Sequence, residues 1–374
     1  MIVEKISIGQ ALDLFNGKKP VLSEAGTISV FGSNGKIGTS EVSNHDSSIV
    51  LGRVGAYCGA VKFSPDPFWA SDNTIVARPK EGHDLKYWYY KLYGTPLRSY
   101  AGGAAQPLIT HSIVKPIEVP YHSDIGEQQK IASILTAYDD LIENNRRRIA
   151  LLEEAARLLY REWFVHFRFP GHEHVKIVDG VPEGWTDGTV FDFIDVLSGG
   201  TPKTTEPSFW DGEIPFFTPK DATDSVYAFE TEKSITEEGL AKCNSRLYPK
   251  DTLFITARGT VGKLNLAQVP MAMNQSCYAL ASKCELPQVF LYFGLHERIA
   301  HLKGRAAGAV FDAIIVDTFK KIPFLKPPEN LVLDFMDIAG PSISQIDVLQ
   351  TQTRALVAAR DLLLPRLMDG RIEV

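Results

Sequence analysis

Two aspartates and a lysine in the first third of the chain have a spacing that could serve a metal-dependent nuclease. Asp66 follows a proline, and Asp84 precedes a Leu-Lys pair that ends at Lys86. Two carboxylates could hold Mg²⁺ while the lysine assists an attacking water. Such loose patterns arise readily by chance, and the second half of the chain has no equivalent. Nuclease activity is therefore the least favoured interpretation.

Other catalytic motifs are incomplete. Residues 66–69 (Asp-Pro-Phe-Trp) lack the second proline of the loop with which adenine methyltransferases clasp a flipped base. Gly17-Lys18 and Gly35-Lys36 lack the upstream glycine and the following Ser or Thr of a phosphate-binding loop. His172 and His174 flank a glutamate with no cysteine or third ligand nearby, so we expect them to be solvated. The chain is expected to hold no catalytic centre, cofactor or metal of its own.

The strongest feature of the sequence is an internal repeat, in which a block near the start returns about 200 residues later. Apolar stretches followed by turn residues recur in the same order in both copies. The matched segments are residues 14–20 with 196–202, 28–31 with 214–217, 49–55 with 253–259, 71–77 with 273–279, and 102–105 with 304–308. The repeat predicts two globular domains with one fold.

The two copies differ in length. Gly17 and Gly199 lie 182 positions apart, whereas Gly59 and Gly262 lie 203 apart, so the second copy carries additional residues, which we place within 222–250. Equal frameworks with unequal loops indicate two related but different ligands.

Each copy is followed by a long helix with apolar residues at alternating steps of three and four, the pattern of a coiled coil. One seam is Leu135, Tyr138, Ile142, Asn145, Ile149, Leu152, Ala156, Leu159 and Trp163; the other is Ile346, Leu349, Thr353, Leu356, Arg360, Leu363 and Leu367. Asn145 and Arg360 are polar members that are expected to set register. Pro365 and Gly370 are expected to stop the second helix.

The length of the first helix favours a spacer. A helix from about 127 to 164 would span roughly 55 Å at 1.5 Å per residue, more than one small domain needs to cover. We therefore predict that the two helices pack antiparallel and hold the domains apart. The alternative is that each helix packs only on its own domain.

These features predict an α+β protein with two mixed α/β domains in tandem, each followed by a long helix. The Pro-Gly pair at 170–171 ends the first helix and opens a linker. The predicted boundaries are residues 1–125 for the first domain, 126–168 for the central helix, 169–185 for the linker, 186–335 for the second domain and 336–374 for the C-terminal helix.

Composition excludes several classes of protein. The 374 residues suffice for two domains of ordinary size. No stretch approaches the roughly 20 apolar residues of a membrane span, and the start does not resemble a signal peptide, so a cytoplasmic protein is expected. The four cysteines are scattered and are expected to be reduced and structural. The net charge of -6 argues against a general basic coat for nucleic acid, but it does not exclude local positive charge.

Five segments together resemble the specificity subunit of type I restriction-modification enzymes. They are residues 30–38 (VFGSNGKIG), 52–55 (GRVG), 127–135 (EQQKIASIL), 181–185 (VPEGW) and 362–372 (LLLPRLMDGRI). The resemblance extends over essentially the whole chain, repeat included, and the combination is far more specific than any one segment.

The resemblance implies a DNA-reading subunit without chemistry of its own. Each domain would be a target recognition domain for one half of a split, asymmetric site in double-stranded DNA, and the helices would set the gap. Two methyltransferase subunits, which modify adenine with S-adenosylmethionine, and two restriction subunits with an ATP-driven motor and a Mg²⁺-dependent nuclease would be its partners.

Base reading requires side chains that pair with base edges, arginine with guanine and asparagine or glutamine with adenine. Turns on a rigid framework present such side chains well. The candidates in the first copy are Ser33, Asn34, Lys36, Arg53 and Gln106, and those in the second are Thr218, Lys220, Asp221, Arg258 and Arg305. Each has a structural alternative: Asn34 could adopt a left-handed turn, Lys36 could contact phosphate only, and the arginines could form buried ion pairs.

A different class of function stays open on the sequence. The helices could bring two protein partners together while the domains bind peptides. A DNA footprint with two protected segments and an unread gap would separate the two interpretations.

Overall fold

The computed structural model describes residues 3–103, 106–305 and 313–374, apart from the side chains of 300–305. The chain forms two units: unit 1 comprises Met1–Asn144 and Thr353–Val374, and unit 2 comprises Asn145–Gln352. Both units therefore contain a part of each long helix. Each predicted domain is one continuous segment of the chain, whereas unit 1 combines an N-terminal segment with the C-terminal residues.

Unit 1 is built on a four-stranded antiparallel sheet in the order β2-β8-β5-β6. The central strand β5 is buried along its whole length, as expected for a run of Ile49, Val50 and Leu51. A second sheet has the order β4-β3-β7, and β1 pairs with β9. The strands are β1 (Val3–Ser7), β2 (Leu12–Asn16), β3 (Ile28–Gly32), β4 (Gly35–Ser40), β5 (Ser48–Gly52), β6 (Val61–Ser64), β7 (Trp69–Ala70), β8 (Thr74–Pro79) and β9 (Glu118–His122).

The helices of unit 1 cover this sheet. They are α1 (Ile8–Ala11), α2 (Leu85–Tyr93), α3 (His111–Val114) and the first part of the long helix α4 (Ile125–Tyr160). Tyr87, Trp88 and Tyr90 of α2 are buried in one core with Leu135 of α4 and Leu364 of the C-terminal helix. The apolar faces of α2 and α4 thus close the core over the sheet.

Unit 2 repeats this plan with additional strands. Its main sheet has the order β13-β20-β17-β18-β15, the smaller sheet has the order β16-β14-β19, and β12 pairs with β21 and β10 with β11. The strands are β10 (Ile177–Val178), β11 (Val181–Pro182), β12 (Thr186–Thr189), β13 (Ile194–Ser198), β14 (Trp210–Phe217), β15 (Tyr227–Ala228), β16 (Ser234–Ile235), β17 (Leu253–Thr256), β18 (Leu264–Ala267), β19 (Ala272–Met273), β20 (Cys277–Ser282) and β21 (Pro323–Lys326). Its helices are α5 (Val190–Phe193), α6 (Glu237–Ala241), α7 (Gln288–Arg305), α8 (Val316–Phe319) and the long α9 (Glu329–Met368).

The predicted tandem architecture is confirmed, because the strands of unit 1 recur in unit 2 in the same order and register. Leu14 pairs with Ala77 in unit 1, and Val196 pairs with Leu280 in unit 2. This register corrects one matched segment by a single position, since Ala77 corresponds to Leu280 and not to Ala279. The addition predicted within 222–250 contains β15, β16 and α6, of which β15 and α6 have no counterpart in unit 1.

The long helices pair antiparallel within unit 2. Near one end, the Asn145 amide donates to Gln352 Oε1 over 3.1 Å, and near the other the Tyr160 ring packs edge-on against Phe335. Within unit 1, Leu135 and Leu364 share a core. Many of the predicted seam residues are buried, among them Leu135, Ile142, Asn145, Ile149, Ala156, Trp163, Ile346, Leu349 and Leu367; Leu152, Leu159, Leu356, Arg360 and Leu363 are partly buried.

The second helix does not stop at Pro365, because α9 continues to Met368. Gly370, with φ 70°, follows the helix in the left-handed conformation that ends many helices. The expectation for Gly370 is therefore confirmed and the one for Pro365 is wrong. A helix tolerates a proline near its C-terminal end, and α9 ends only three residues after Pro365.

Arg360, the polar seam member of α9, is held by Asp139 of α4. Its Nη1 lies 2.6 Å from Asp139 Oδ1, and the Tyr90 hydroxyl donates to Asp139 Oδ2 over 2.7 Å. The Arg360 side chain is only 15% exposed. We expect Asp139→Asn to lower the free energy of unfolding by about 2 kcal/mol, since it weakens a charged hydrogen bond at a half-buried arginine.

Urea denaturation of the variant, followed by circular dichroism, measures this loss. Asp140→Asn removes the neighbouring exposed carboxylate and serves as the control, with an expected change within about 0.5 kcal/mol. Equal stability of the two variants would show that the Asp139–Arg360 pair contributes nothing.

The four cysteines are free thiols, as expected. Burial raises the pKa of the Cys277 thiol to about 12, so this thiol is protonated and unreactive at neutral pH. Every helix in the described part of the chain is too short or too polar to span a lipid bilayer.

Candidate nucleic-acid interface

In unit 1, the turn at residues 33–34 between β3 and β4 meets the turn that follows β5. The Ser33 hydroxyl donates to the Asn73 carbonyl over 2.6 Å and accepts from the Val54 amide over 3.2 Å. Gly52 lies so close to the backbone of Ser33 that a Cβ there would be 2.7 Å from the Ser33 carbonyl oxygen. The two turns are therefore fixed to one another, and Ser33 acts mainly as their link.

Arg53 is held by its backbone and leaves its side chain available. Its amide donates to the Asn73 carbonyl over 2.9 Å, and its carbonyl accepts from the Ile109 amide over 3.0 Å. Among the described residues, no side chain forms an ion pair or hydrogen bond with the guanidinium. The alternative of a structural ion pair therefore has no support at Arg53.

The charge of Arg53 acts on its surroundings. Burial, followed by the positive charges of Lys115 and Arg53, lowers the pKa of His111 below its ordinary value. Among the residues that the structure describes, no carboxylate forms an ion pair with Arg53.

Asn34, Lys36 and Gln106 are exposed around this pair of turns. Gln106 is brought close because the amide of Gly55 donates to the carbonyl of the next residue, Pro107, over 3.0 Å. The left-handed conformation considered for Asn34 is instead adopted by Gly35, with φ 105°, which leaves the Asn34 side chain without that structural role. The five predicted residues of the first copy thus lie on or beside two joined turns.

Two further cationic residues, Lys62 and Arg98, lie at this surface, and the sequence pattern does not identify them. A Cβ on Gly35 would be 3.7 Å from Cε of Lys62, and Arg98 Nη1 donates to the Ala56 carbonyl over 2.7 Å. Both side chains are on exposed residues, and neither has an ion-pair partner in the described part of the chain. Only the pairing of β6 with β5 and the packing of residues 97–100 bring them here, so no local signal in the sequence could have identified them.

Unit 2 joins the corresponding turns in a different way. The Thr260 hydroxyl donates to the Pro219 carbonyl over 3.0 Å, which ties residues 258–260 to residues 218–221. Arg258 is exposed, and its guanidinium has no partner among the residues that the structure describes. The side chain of Arg305 lies outside the described residues.

Three of the predicted residues of unit 2 are engaged within the protein. Asp221 accepts from the Thr218 amide and hydroxyl, each over 2.7 Å, and from the Glu232 amide over 2.7 Å. Lys220 lies 3.5 Å from a Glu232 carboxylate oxygen in an exposed pair. Asp221 therefore holds the inserted segment in place, which leaves Arg258 as the freest predicted group of this unit.

Arg53 and Arg258 are not equivalent positions of the repeat. Gly52 pairs with Thr74 and Thr256 pairs with Cys277, so Arg53 corresponds to Ala257 and Arg258 to Val54. The backbone hydrogen bonds support this correspondence. The Arg53 amide donates to the Asn73 carbonyl, and the Ala257 amide donates to the Ser276 carbonyl. The two units thus present an arginine from adjacent positions of one framework.

Two members of the nuclease pattern have structural contacts. Asp84 caps α2 by accepting from the Tyr87 amide over 2.8 Å, and Lys86 Nζ lies 3.8 Å from the centre of the Phe63 ring. Within the described residues, no group of three His, Cys, Asp or Glu side chains could hold a metal ion. His174 is largely exposed, and His172 Nδ1 contacts the Phe169 carbonyl oxygen at 2.7 Å.

Comparison with known proteins agrees with this repeat. Residues 3–154 and 182–331 each match the family model described as the type I restriction modification DNA specificity domain. The chain is 27% identical over 328 residues to the specificity subunit of the type I restriction enzyme MjaIX of Methanocaldococcus jannaschii, covering 84% of this chain and 76% of the relative. It is 24% identical over 330 residues to the HindI specificity subunit of Haemophilus influenzae, covering 71% of each.

A solved structure has the same fold. The S subunit of a type I restriction-modification system from M. genitalium superposes with a TM-score of 0.65 at 19% identity, covering 98% of this chain and 96% of that one.

Proposed function

Because the chain belongs to the type I restriction-modification DNA specificity family, we propose that it reads a bipartite, asymmetric DNA site with one half-site for each unit. The observation that carries this proposal is the pair of joined turns in each unit, one with Arg53 and one with Arg258, whose guanidinium groups have no protein partner among the described residues. An arginine on a fixed turn can pair bidentately with guanine in the major groove.

The unequal turns support two different half-sites. Unit 1 presents the amides of Asn34 and Gln106 beside Arg53, and amides of this kind suit adenine. Unit 2 places an insertion, held by Asp221, next to Arg258. An asymmetric site requires two domains that share one fold but carry different side chains at their turns.

In this proposal the subunit contributes recognition, and its partners contribute chemistry. Two methyltransferase subunits would dock on the paired helices and use S-adenosylmethionine, and two restriction subunits would supply ATP-driven translocation and Mg²⁺-dependent cleavage in the cytoplasm. The helices would set the distance between the half-sites. Residues 1–125 and 186–335 would be the two target recognition domains, and residues 126–168 and 336–374 would be the spacer helices.

A footprint tests the bipartite reading. The subunit is assembled with its methyltransferase partner, bound to DNA that carries the motif found by methylation-sensitive sequencing of the host, and probed with a small cleavage reagent. We expect two short protected segments separated by an unread gap. One continuous protected segment would contradict the proposal, and no protection would favour a protein scaffold instead.

A further inference from the structure

The turn after Arg53 presents a tyrosine that neither the repeat nor the core explains. Tyr57 is 53% exposed, and its hydroxyl has no hydrogen-bond partner among the described residues. The next residue, Cys58, fills the core beneath the turn and is 2% exposed. The Tyr57 ring is therefore not needed for packing.

The backbone that carries Tyr57 is tightly constrained. Gly55 (φ 74°) and Gly59 (φ 84°) bracket the turn in conformations that favour glycine. The Gly59 amide donates to the Gly52 carbonyl over 2.8 Å, and the Ala60 amide donates to the Tyr57 carbonyl over 3.0 Å. An aromatic side chain on such a turn is held in place at little cost in entropy when it binds a ligand.

Cations without carboxylate partners accompany this ring. Arg53 and Arg98 lie on either side of the turn, and the Arg98 guanidinium donates to the carbonyl of Ala56, the residue before Tyr57. Lys62 lies beside the neighbouring turn at Gly35. An exposed aromatic ring among unpaired cations is the combination that suits nucleic acid, with phosphates neutralised by the cations and a base contacted by the ring.

Building on the proposed function, we propose that Tyr57 is a specificity-determining residue that places its ring against the base edges of the first half-site in the major groove. Arg98 and Lys62 contact the flanking phosphates. An apolar ring surface favours base pairs that present the thymine methyl group, so Tyr57 adds a preference that Arg53 alone does not provide.

The corresponding turn of the second unit carries no aromatic residue. Gly259 and Gly262 bracket its turn with φ 78° and 77°, and the residues between them are Thr260 and Val261. Thr260 is engaged with Pro219. At this pair of equivalent turns, the ring contact therefore belongs to the first half-site.

The test uses the full subunit assembled with its methyltransferase partner and a duplex library with both half-sites randomised in turn. We expect Tyr57→Ala to reduce affinity for the parent site about tenfold and to relax base choice at one or two positions of the first half-site. Tyr57→Phe keeps the ring and should retain most of the affinity. Tyr93→Ala, which removes a tyrosine of similar exposure whose ring lies beside Arg360, is the matched control.

The outcomes separate this inference from the proposed function. If the parent protein reads two half-sites and Tyr57→Ala has the same base preferences and affinity, only the assignment of Tyr57 is overturned. Equal losses in Tyr57→Phe and Tyr57→Ala would overturn the ring contact. If the parent protein reads no half-sites, the proposed function and this inference fall together. If the thermal unfolding midpoints of all three variants match that of the parent, the changes in affinity and base choice result from altered binding and not from unfolding.

Discussion

Arg53→Ala is expected to relax base choice in one half-site while the other half-site is read as before, and Arg258→Ala should have the converse effect. A lost bidentate pair with guanine costs roughly 1–3 kcal/mol of discrimination, or about 5- to 150-fold. Neither guanidinium has a hydrogen-bond or ion-pair partner among the described residues, so its removal breaks no polar interaction with them. Stability should therefore change little, and the effect on binding should be specific.

Selection from randomised duplexes by the assembled complex measures this effect. Lys36→Ala provides a contrast, because a phosphate contact would weaken all sequences alike and reduce the salt dependence. Arg168→Ala removes an exposed arginine that pairs with Glu162, outside both sets of turns, and is the matched control. If both arginine variants select the same sequences as the parent, the assignment of Arg53 and Arg258 is wrong.

Lengthening the long helices should change the gap between the half-sites and leave the half-sites themselves unchanged. The two units divide between residues 144 and 145 in α4 and between 352 and 353 in α9, so matched insertions at these two places keep the residues of each unit together. Seven added residues in each helix form about two turns and extend it by roughly 10.5 Å. That extension equals about three base pairs at 3.4 Å each.

Methylation-site sequencing in cells that carry the lengthened subunit gives the gap directly. An insertion of five residues, which is not a whole number of turns, should instead abolish methylation because it rotates one side of the helix pair against the other. A change in the half-site bases after the seven-residue insertion would contradict the spacer function of the helices. A gap of unchanged length after this insertion would also contradict the spacer function.

The repeated fold could be predicted from the sequence because its signals are local. Apolar runs such as 49–51 and 253–255, followed by glycine turns, mark the same strands in both copies, and the heptad pattern marks the long helices. The one-residue error at 71–77 arose because strand pairing, and not residue similarity, sets the register. The stop predicted at Pro365 is wrong because a proline in the sequence does not show how near the helix already is to its end.

The candidate interface was only partly predictable. Arginine beside glycine at a strand end pointed to Arg53 and Arg258, but Lys62 and Arg98 reach the first turns through strand pairing and tertiary packing. Asp221 had the right type for a base contact, yet its carboxylate binds three groups of its own segment. The sequence shows which polar side chains exist, and only the fold shows which of them have no internal partner.

The main-chain anchoring of the Arg53 and Arg258 turns has an evolutionary consequence. The amides and carbonyls of Arg53 and Ala257 fasten these turns, and those bonds do not depend on the side chains at the tips. Substitutions of the two arginines can therefore accumulate with little loss of folding stability, whereas the hydroxyls of Ser33 and Thr260 are needed to join the turns. A lineage could acquire a new DNA specificity by point mutation while the fold of the subunit stays intact.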